Sequence, residues 1–209
     1  RSRGLGDVYK RQWSDGVGWV EGKPIQMRRH GAVRSVAAGE DFVLIADVAE
    51  EVDGVEDAGV VYVFRPSGDS WIEEARLTAP EPALYERFGA ALAVDGDRIL
   101  VGARDADAFG SNAGAALTYR NVEGEWTFEQ VIAPSAPDPD DRAGHSVALS
   151  GETMAIGVPY AYDGTSRGAV DIHRWNGAMW VFETRLVLGL TGETGMGRSL
   201  ALQGTTLVT

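Results

Sequence analysis

The feature that most constrains this chain is that it says nearly the same thing several times. Residues 88–104 read F-G-A-A-L-A-V-D-G-D-R-I-L-V-G-A-R, and residues 143–159 read A-G-H-S-V-A-L-S-G-E-T-M-A-I-G-V-P. Residues 31–47 read G-A-V-R-S-V-A-A-G-E-D-F-V-L-I-A-D, and a further copy starts at Met196. Each copy is an alternating apolar run, a Gly-centred turn and a second apolar run, which is the pattern of two short strands in a hairpin.

Other landmarks keep step with the hairpin. Gly89, Gly144 and Gly197 lie 55 and 53 residues apart. Gly39, Gly96, Gly151 and Gly204 mark the turn of successive hairpins. Gly59, Gly114 and Gly168 open the runs G-V-V-Y-V-F-R, G-A-A-L-T-Y-R and G-A-V-D-I-H-R, while Trp71, Trp126 and Trp180 open a last run in each unit. Trp19 stands in the same register at the end of an earlier unit. Each unit therefore holds four short strands, predicted in the second unit at residues 90–95, 98–103, 114–120 and 126–132. No window keeps a 3.6-residue period, so helices are not expected.

Four antiparallel strands recurring about every 50 residues predict the blades of a β-propeller. A lone four-stranded sheet leaves two apolar faces wet, and stacking blades side by side covers both. Val61 and Val63 are expected to face one neighbour, and Tyr62 and Phe64 the other. The fold class is all-β: a propeller fragment of about three complete blades plus partial ones. The units are read as residues 13–30 (end of a blade), 31–87, 88–142 and 143–195 (blades), and 196–209 (start of a truncated blade). Residues 1–12 carry Arg1, Arg3, Lys10 and Arg11 against Asp7, fall outside the repeat, and read as a non-native or disordered segment.

These residues resemble the FG-GAP repeat of bacterial extracellular proteins, which is related to the propeller of integrin alpha chains. Phe88-Gly89, Gly102-Ala103, Gly157-Val158-Pro159 and Gly168-Ala169-Val170 carry the resemblance. Ser35-Val36-Ala37-Ala38-Gly39-Glu40-Asp41 and Gly144-His145-Ser146-Val147-Ala148-Leu149 also resemble pieces of the regulator-of-chromosome-condensation propeller. The FG-GAP resemblance implies an extracellular or cell-surface, non-catalytic module that binds a protein or glycan. Two other functions stay open: a propeller-based carbohydrate-active lyase or hydrolase, and a structural spacer in a large surface protein. Calcium-binding members carry Asp-x-Asp-x-Asp-Gly between the first two strands. Here that connection is Asp95-Gly96-Asp97 or Ser150-Gly151-Glu152, too short to wrap the oxygens calcium takes, so no cofactor is carried over.

Charge narrows the partners. With 31 acidic and 19 basic residues the chain is at −12, which argues against nucleic acid, whose phosphates need Lys and Arg. No apolar run is long enough for a bilayer, so membrane insertion is not expected. There is no Cys, which removes disulfides and thiolate chemistry.

Connections 2–3 and 4–1 leave one face of the disc and are the long ones, at residues 47–57, 103–112 and 159–167, and at 78–87, 133–142 and 189–195. Long loops on a rigid scaffold carry binding, so this face is the expected site of the ligand. Its acids are the candidates: Asp53, Asp105, Asp107 and Asp163. Asp105-x-Asp107 is the one pair that leaves a divalent ion such as calcium open; Asp53-Gly54 and Asp163-Gly164 also read as turns. Glu86 and Asp141 each lie three residues before a blade Gly, which predicts a structural hydrogen bond to a neighbouring backbone. His30, His145 and His173 have no His at the corresponding positions of other units and read as structural.

Overall fold

The computed structural model describes residues 7–8, 11–14, 18–21, 24–27, 32–68, 70–188, 192–193 and 195–209 of the 209-residue chain. Three antiparallel four-strand meanders dominate it. The first blade is Val33–Ala38, Val43–Asp47, Val60–Ser67 and Ser70–Leu77. The second is Phe88–Asp95, Arg98–Ala103, Ala115–Val122 and Glu125–Ile132. The third is Val147–Ser150, Thr153–Tyr162, Ser166–Trp175 and Trp180–Leu186. Ala201–Gln203 and Thr206–Val208 repeat the opening hairpin of a blade. The described residues contain no α-helix, only one 3-10 turn at Pro82–Leu84. Asp7–Val8 pairs with Ile25–Gln26, and Arg11–Ser14 with Gly18–Glu21. The rest of residues 1–12, like His30, lies outside the described residues.

Alternation along the third strand sends side chains to opposite neighbours, as a pleated strand must. Val61 and Val63 pack with Ile99, Val101, Leu117 and Tyr119 of the second blade, while Tyr62 and Phe64 pack with Ile25 and Met27. Leu100 and Ala116 face the third blade, where Met154, Ile156, Ala169 and Trp180 meet them. The core is thus a series of apolar layers between blades, and no blade has a core of its own.

The repeated glycines belong to these layers. A methyl group on Gly102, in the second strand, would stand 2.0 Å from the carbonyl oxygen of Gly144 in the next blade; one on Gly157 would stand 2.1 Å from that of Gly197. The Gly of one blade's second strand and the Gly opening the next are one contact, closed down to backbone on backbone.

The outer strands carry a second link. Trp126 Nε1 donates to Glu74 of the first blade at 3.1 Å, and Trp180 Nε1 to Glu129 of the second at 3.3 Å. Gln130 then clasps Trp180, accepting from its backbone N–H at 2.8 Å and donating to its carbonyl at 3.0 Å. The recurring W-x-x-E is therefore a clasp from blade to blade.

One turn differs from expectation. Gly96 and Gly151 take φ of +56° and +55° at the first of two loop residues, the glycine position of a tight hairpin. In the first blade Ala38 pairs with Val43, as Val94 pairs with Ile99. Gly39 therefore matches Asp95, one residue early, and its φ is not left-handed. Counting back from the turn glycine misaligns the first strand of that blade by one residue.

Candidate functional site

On the face of the 2–3 and 4–1 connections, the 4–1 connections at residues 78–87 and 133–142 are each sewn onto the preceding 2–3 loop. Arg87 N–H donates to Asp57 O at 2.8 Å and Phe88 N–H to Ala58 O at 3.1 Å; one blade on, Arg142 N–H donates to Asn112 O at 3.1 Å and Ala143 N–H to Ala113 O at 2.9 Å. Asp107 N–H reaches Leu84 O, and Asp140 N–H reaches Ser111 O, at 3.1 and 2.8 Å. The loops form one backbone-braced surface.

The candidate acids are separate on it. Asp53 and Gly54, at φ of +53° and +84°, are the two loop residues of a small hairpin closed by Val52 and Val55. Asp163 accepts from the backbone N–H and hydroxyl of Thr165, both at 2.8 Å. The loop expected at residues 159–167 is mostly strand: Tyr162 pairs with Arg167, leaving Asp163 in a four-residue hairpin tip. The register shift between Val158 and Tyr162 lets this hairpin run past the ends of the other blades.

Asp105 and Asp107 do not make a cation site. Asp107 accepts from Asn112 N–H at 2.7 Å and shapes its own loop. Asp105 faces three guanidinium groups, with Arg87, Arg104 and Arg142 Nε at 3.2, 3.5 and 3.9 Å. Three positive charges fill the shell that a divalent ion would need. No group of three or more His, Asp or Glu suited to a metal occurs among the described residues. The first-to-second-strand turns are two residues long in the second and third blades, so calcium does not fit there either.

Asp141 is buried and accepts from Asp138 N–H at 3.2 Å, within its own loop, whereas Glu86 is exposed. The expected hydrogen bond to a nearby backbone is thus formed at Asp141, within its own loop, and not at Glu86. Burial, with the Asp138 charge nearby, raises the Asp141 carboxyl above its ordinary range.

His173 is buried at the face turned to the second blade, edge-on to Phe182 at 5.6 Å, with Nδ1 unpaired. Burial lowers its pKa below 6.5. A lowered imidazole pKa means that folding favours the neutral ring. This stability is complete above pH 6.5 and is lost as pH falls toward the folded-state value. Phe64 and Tyr119 hold the same strand position in the other blades. His173→Phe is therefore expected to remove part of the stability loss below pH 6.5, read from urea midpoints against pH. An unchanged slope would refute the assignment.

His145 is different. It sits at the axial end of the innermost strands, with Nδ1 buried and unpaired. Burial first, then the charges of Arg104, Arg198 and Arg34, disfavour its protonated form. The structural register places Arg34, Ala90, His145 and Arg198 at one position in successive blades. Ser35 Oγ, just after Arg34, donates to Gly89 O at 2.6 Å; Ser146 Oγ, just after His145, donates to Gly197 O at 2.8 Å. The sequence hides this because Gly39 shifts the count, and because a search for repeated His overlooks repeated positive charge.

An FG-GAP repeat family model matches residues 71–119 and 126–172. Each match begins at the Trp of a fourth strand and runs into the third strand of the next blade, so it holds one side of the clasp and one side of the glycine contact, whose partners lie in the neighbouring unit. No curated protein matches the chain. With its repeated glycine contacts and four-stranded blades, the chain is an FG-GAP repeat protein, built as a propeller-type repeat module.

Proposed function

We propose that this module is a non-catalytic binding unit of an extracellular or cell-surface protein, and that its ligand, a protein or glycan, docks on the face of the 2–3 and 4–1 connections. The observation that carries this reading is the bracing of that face: backbone bonds such as Arg142 N–H to Asn112 O tie loops of successive blades together. A surface ordered before binding loses little entropy on docking. Presenting the chain to arrays of extracellular proteins and glycans is expected to give saturable hits that Asp107→Ala or Asn112→Ala weaken by loosening the loops. No hit from either array would sink the reading.

One observation favours an enzyme. A neutral imidazole at His145 beside Arg104, Arg198 and Arg34 is what proton abstraction next to a carboxylate requires. Formation of unsaturated product from uronate-containing polysaccharides would establish a lyase and overturn the non-catalytic reading.

A further inference from the structure

The axial end of the loop face runs against the charge of the molecule. Arg34, Arg104 and Arg198, from three different blades, all act on the imidazole of His145. The guanidinium groups of Arg142 and Arg198 lie 5.5 and 5.3 Å from the centre of the Tyr160 ring, and Arg142 meets Arg87 and Arg104 at Asp105. Arg87, Arg104 and Arg142 thus share one carboxylate, and Arg34 and Arg198 act on the same imidazole as Arg104, in a chain whose net charge is −12. Among the described residues Arg34 and Arg198 have no ion pair, Arg104 Nε is buried with no hydrogen bond and only the Asp105 carboxylate at 3.5 Å, and His145 Nδ1 is buried without a hydrogen-bond partner.

Like charges held together repel, and buried polar atoms left without partners cost stability. A fold keeps such an arrangement where a counter-charge arrives from outside. Guanidinium groups suit planar or tetrahedral oxyanions because their N–H donors pair with two oxygens at once. The surroundings limit the size of the guest: Asp53, Asp57, Asp107 and Asp163 are exposed on the same face and repel a long polyanion.

We propose that the axial cluster of Arg34, Arg104, Arg142, His145 and Arg198, with Tyr160 beside it, binds a compact oxyanion: a carboxylate or sulfate group carried by the ligand. This deepens the reading of the face as a binding face and rests on it for the identity of the whole ligand. The anion site itself is tested without that ligand.

Inorganic sulfate and glucuronate are titrated separately into the whole chain at fixed ionic strength, and the carbon-bound ring protons of His145 are followed by NMR. Saturable shifts with at least one of the two are expected; which one saturates first separates sulfate from carboxylate. Arg34→Gln combined with Arg198→Gln, both exposed positions, is expected to weaken binding about tenfold or more by removing two charge-assisted contacts, with the urea midpoint not lowered, since the repulsion within the cluster is relieved. Absence of saturation with both probes, or equal saturation in the double variant, overturns the site. Affinity that climbs steadily with the length of sulfated oligosaccharides overturns the compact footprint. Sulfate or glucuronate binding without any array hit would leave the anion site standing and remove the macromolecular ligand.

Discussion

Replacing Asp171 with Ala is expected to destabilise the chain by about 3–5 kcal/mol, the cost of breaking a buried ion pair from one side. Asp171 lies in the third strand of the third blade and is fully buried. Its carboxylate accepts four hydrogen bonds: Arg185 Nε at 2.6 Å, an Arg185 terminal nitrogen at 2.9 Å, and the backbone N–H and hydroxyl of Ser135, each at 2.9 Å. The pair raises the pKa of Arg185, so the guanidinium would stay charged in the variant and lose its partner. The same cross-strand position is filled differently in the other blades. Leu117 faces Val131 in the second, and Tyr62 faces Arg76 in the first, where both bond Glu50. Grafting the second blade's choice, Asp171→Leu with Arg185→Val, is therefore expected to recover most of the loss, with a coupling energy of about 2–3 kcal/mol. Ser135 still loses its partner, so full recovery is not expected. Urea midpoints of the two single variants and the double variant decide the matter. Additive losses, or a loss under about 1 kcal/mol for Asp171→Ala, would mean that the pair does not hold the inter-blade connector.

This example shows where the sequence was readable and where it was not. Strands and blades could be read because burial repeats: Val61 and Val63, Leu100 and Ala116, Trp126 and Trp180 are each placed by a pattern that recurs. The repeat also gave the second blade's strands to within two residues, with Arg98–Ala103 as expected. What breaks the pattern could not be read. Asp171 stands where the second blade has Leu117, and nothing local says that Ser135, 36 residues earlier, arrives to bond it. Asp105 looked like one of a pair of metal-facing acids because Asp107 is two residues away. Their partners, however, come from different loops: Arg87 and Arg142 from the 4–1 connections for Asp105, Asn112 for Asp107. The acidic count of the loop face was correct as composition, yet the axial end is basic. Arg34, Arg104 and Arg198 are far apart in the chain and converge only when blades stack.

Gly144→Ala is expected to be among the most damaging single substitutions, at about 3–5 kcal/mol, because two costs add. Gly144 has φ of +81°, and an added methyl would stand 2.1 Å from Ala115 O and 3.1 Å from Ala103 N and Gly102 Cα. All three are backbone atoms, so no rotamer change relieves the clash; the second and third blades must separate. Gly151→Ala isolates the conformational cost, since its φ is +55° with nothing within 4 Å, and about 1–2 kcal/mol is expected. Gly102→Ala isolates the crowding, since its φ is not left-handed and its obstacle is Gly144 O at 2.0 Å. Its cost is expected to fall between the two. The first blade already carries Ala46 at that strand position, and there the backbone of Gly89 stands far enough away to take a methyl group. A methyl on Gly89 would lie 2.6 Å from the Ala46 Cβ, so the first pair of blades spends its space on one side chain and the second pair on none. Chemical denaturation of the three variants orders them Gly144, Gly102, Gly151 from worst to mildest. If Gly144→Ala were no worse than Gly151→Ala, blade spacing would not be set at these glycines, and the repeated Gly of the motif would need another explanation.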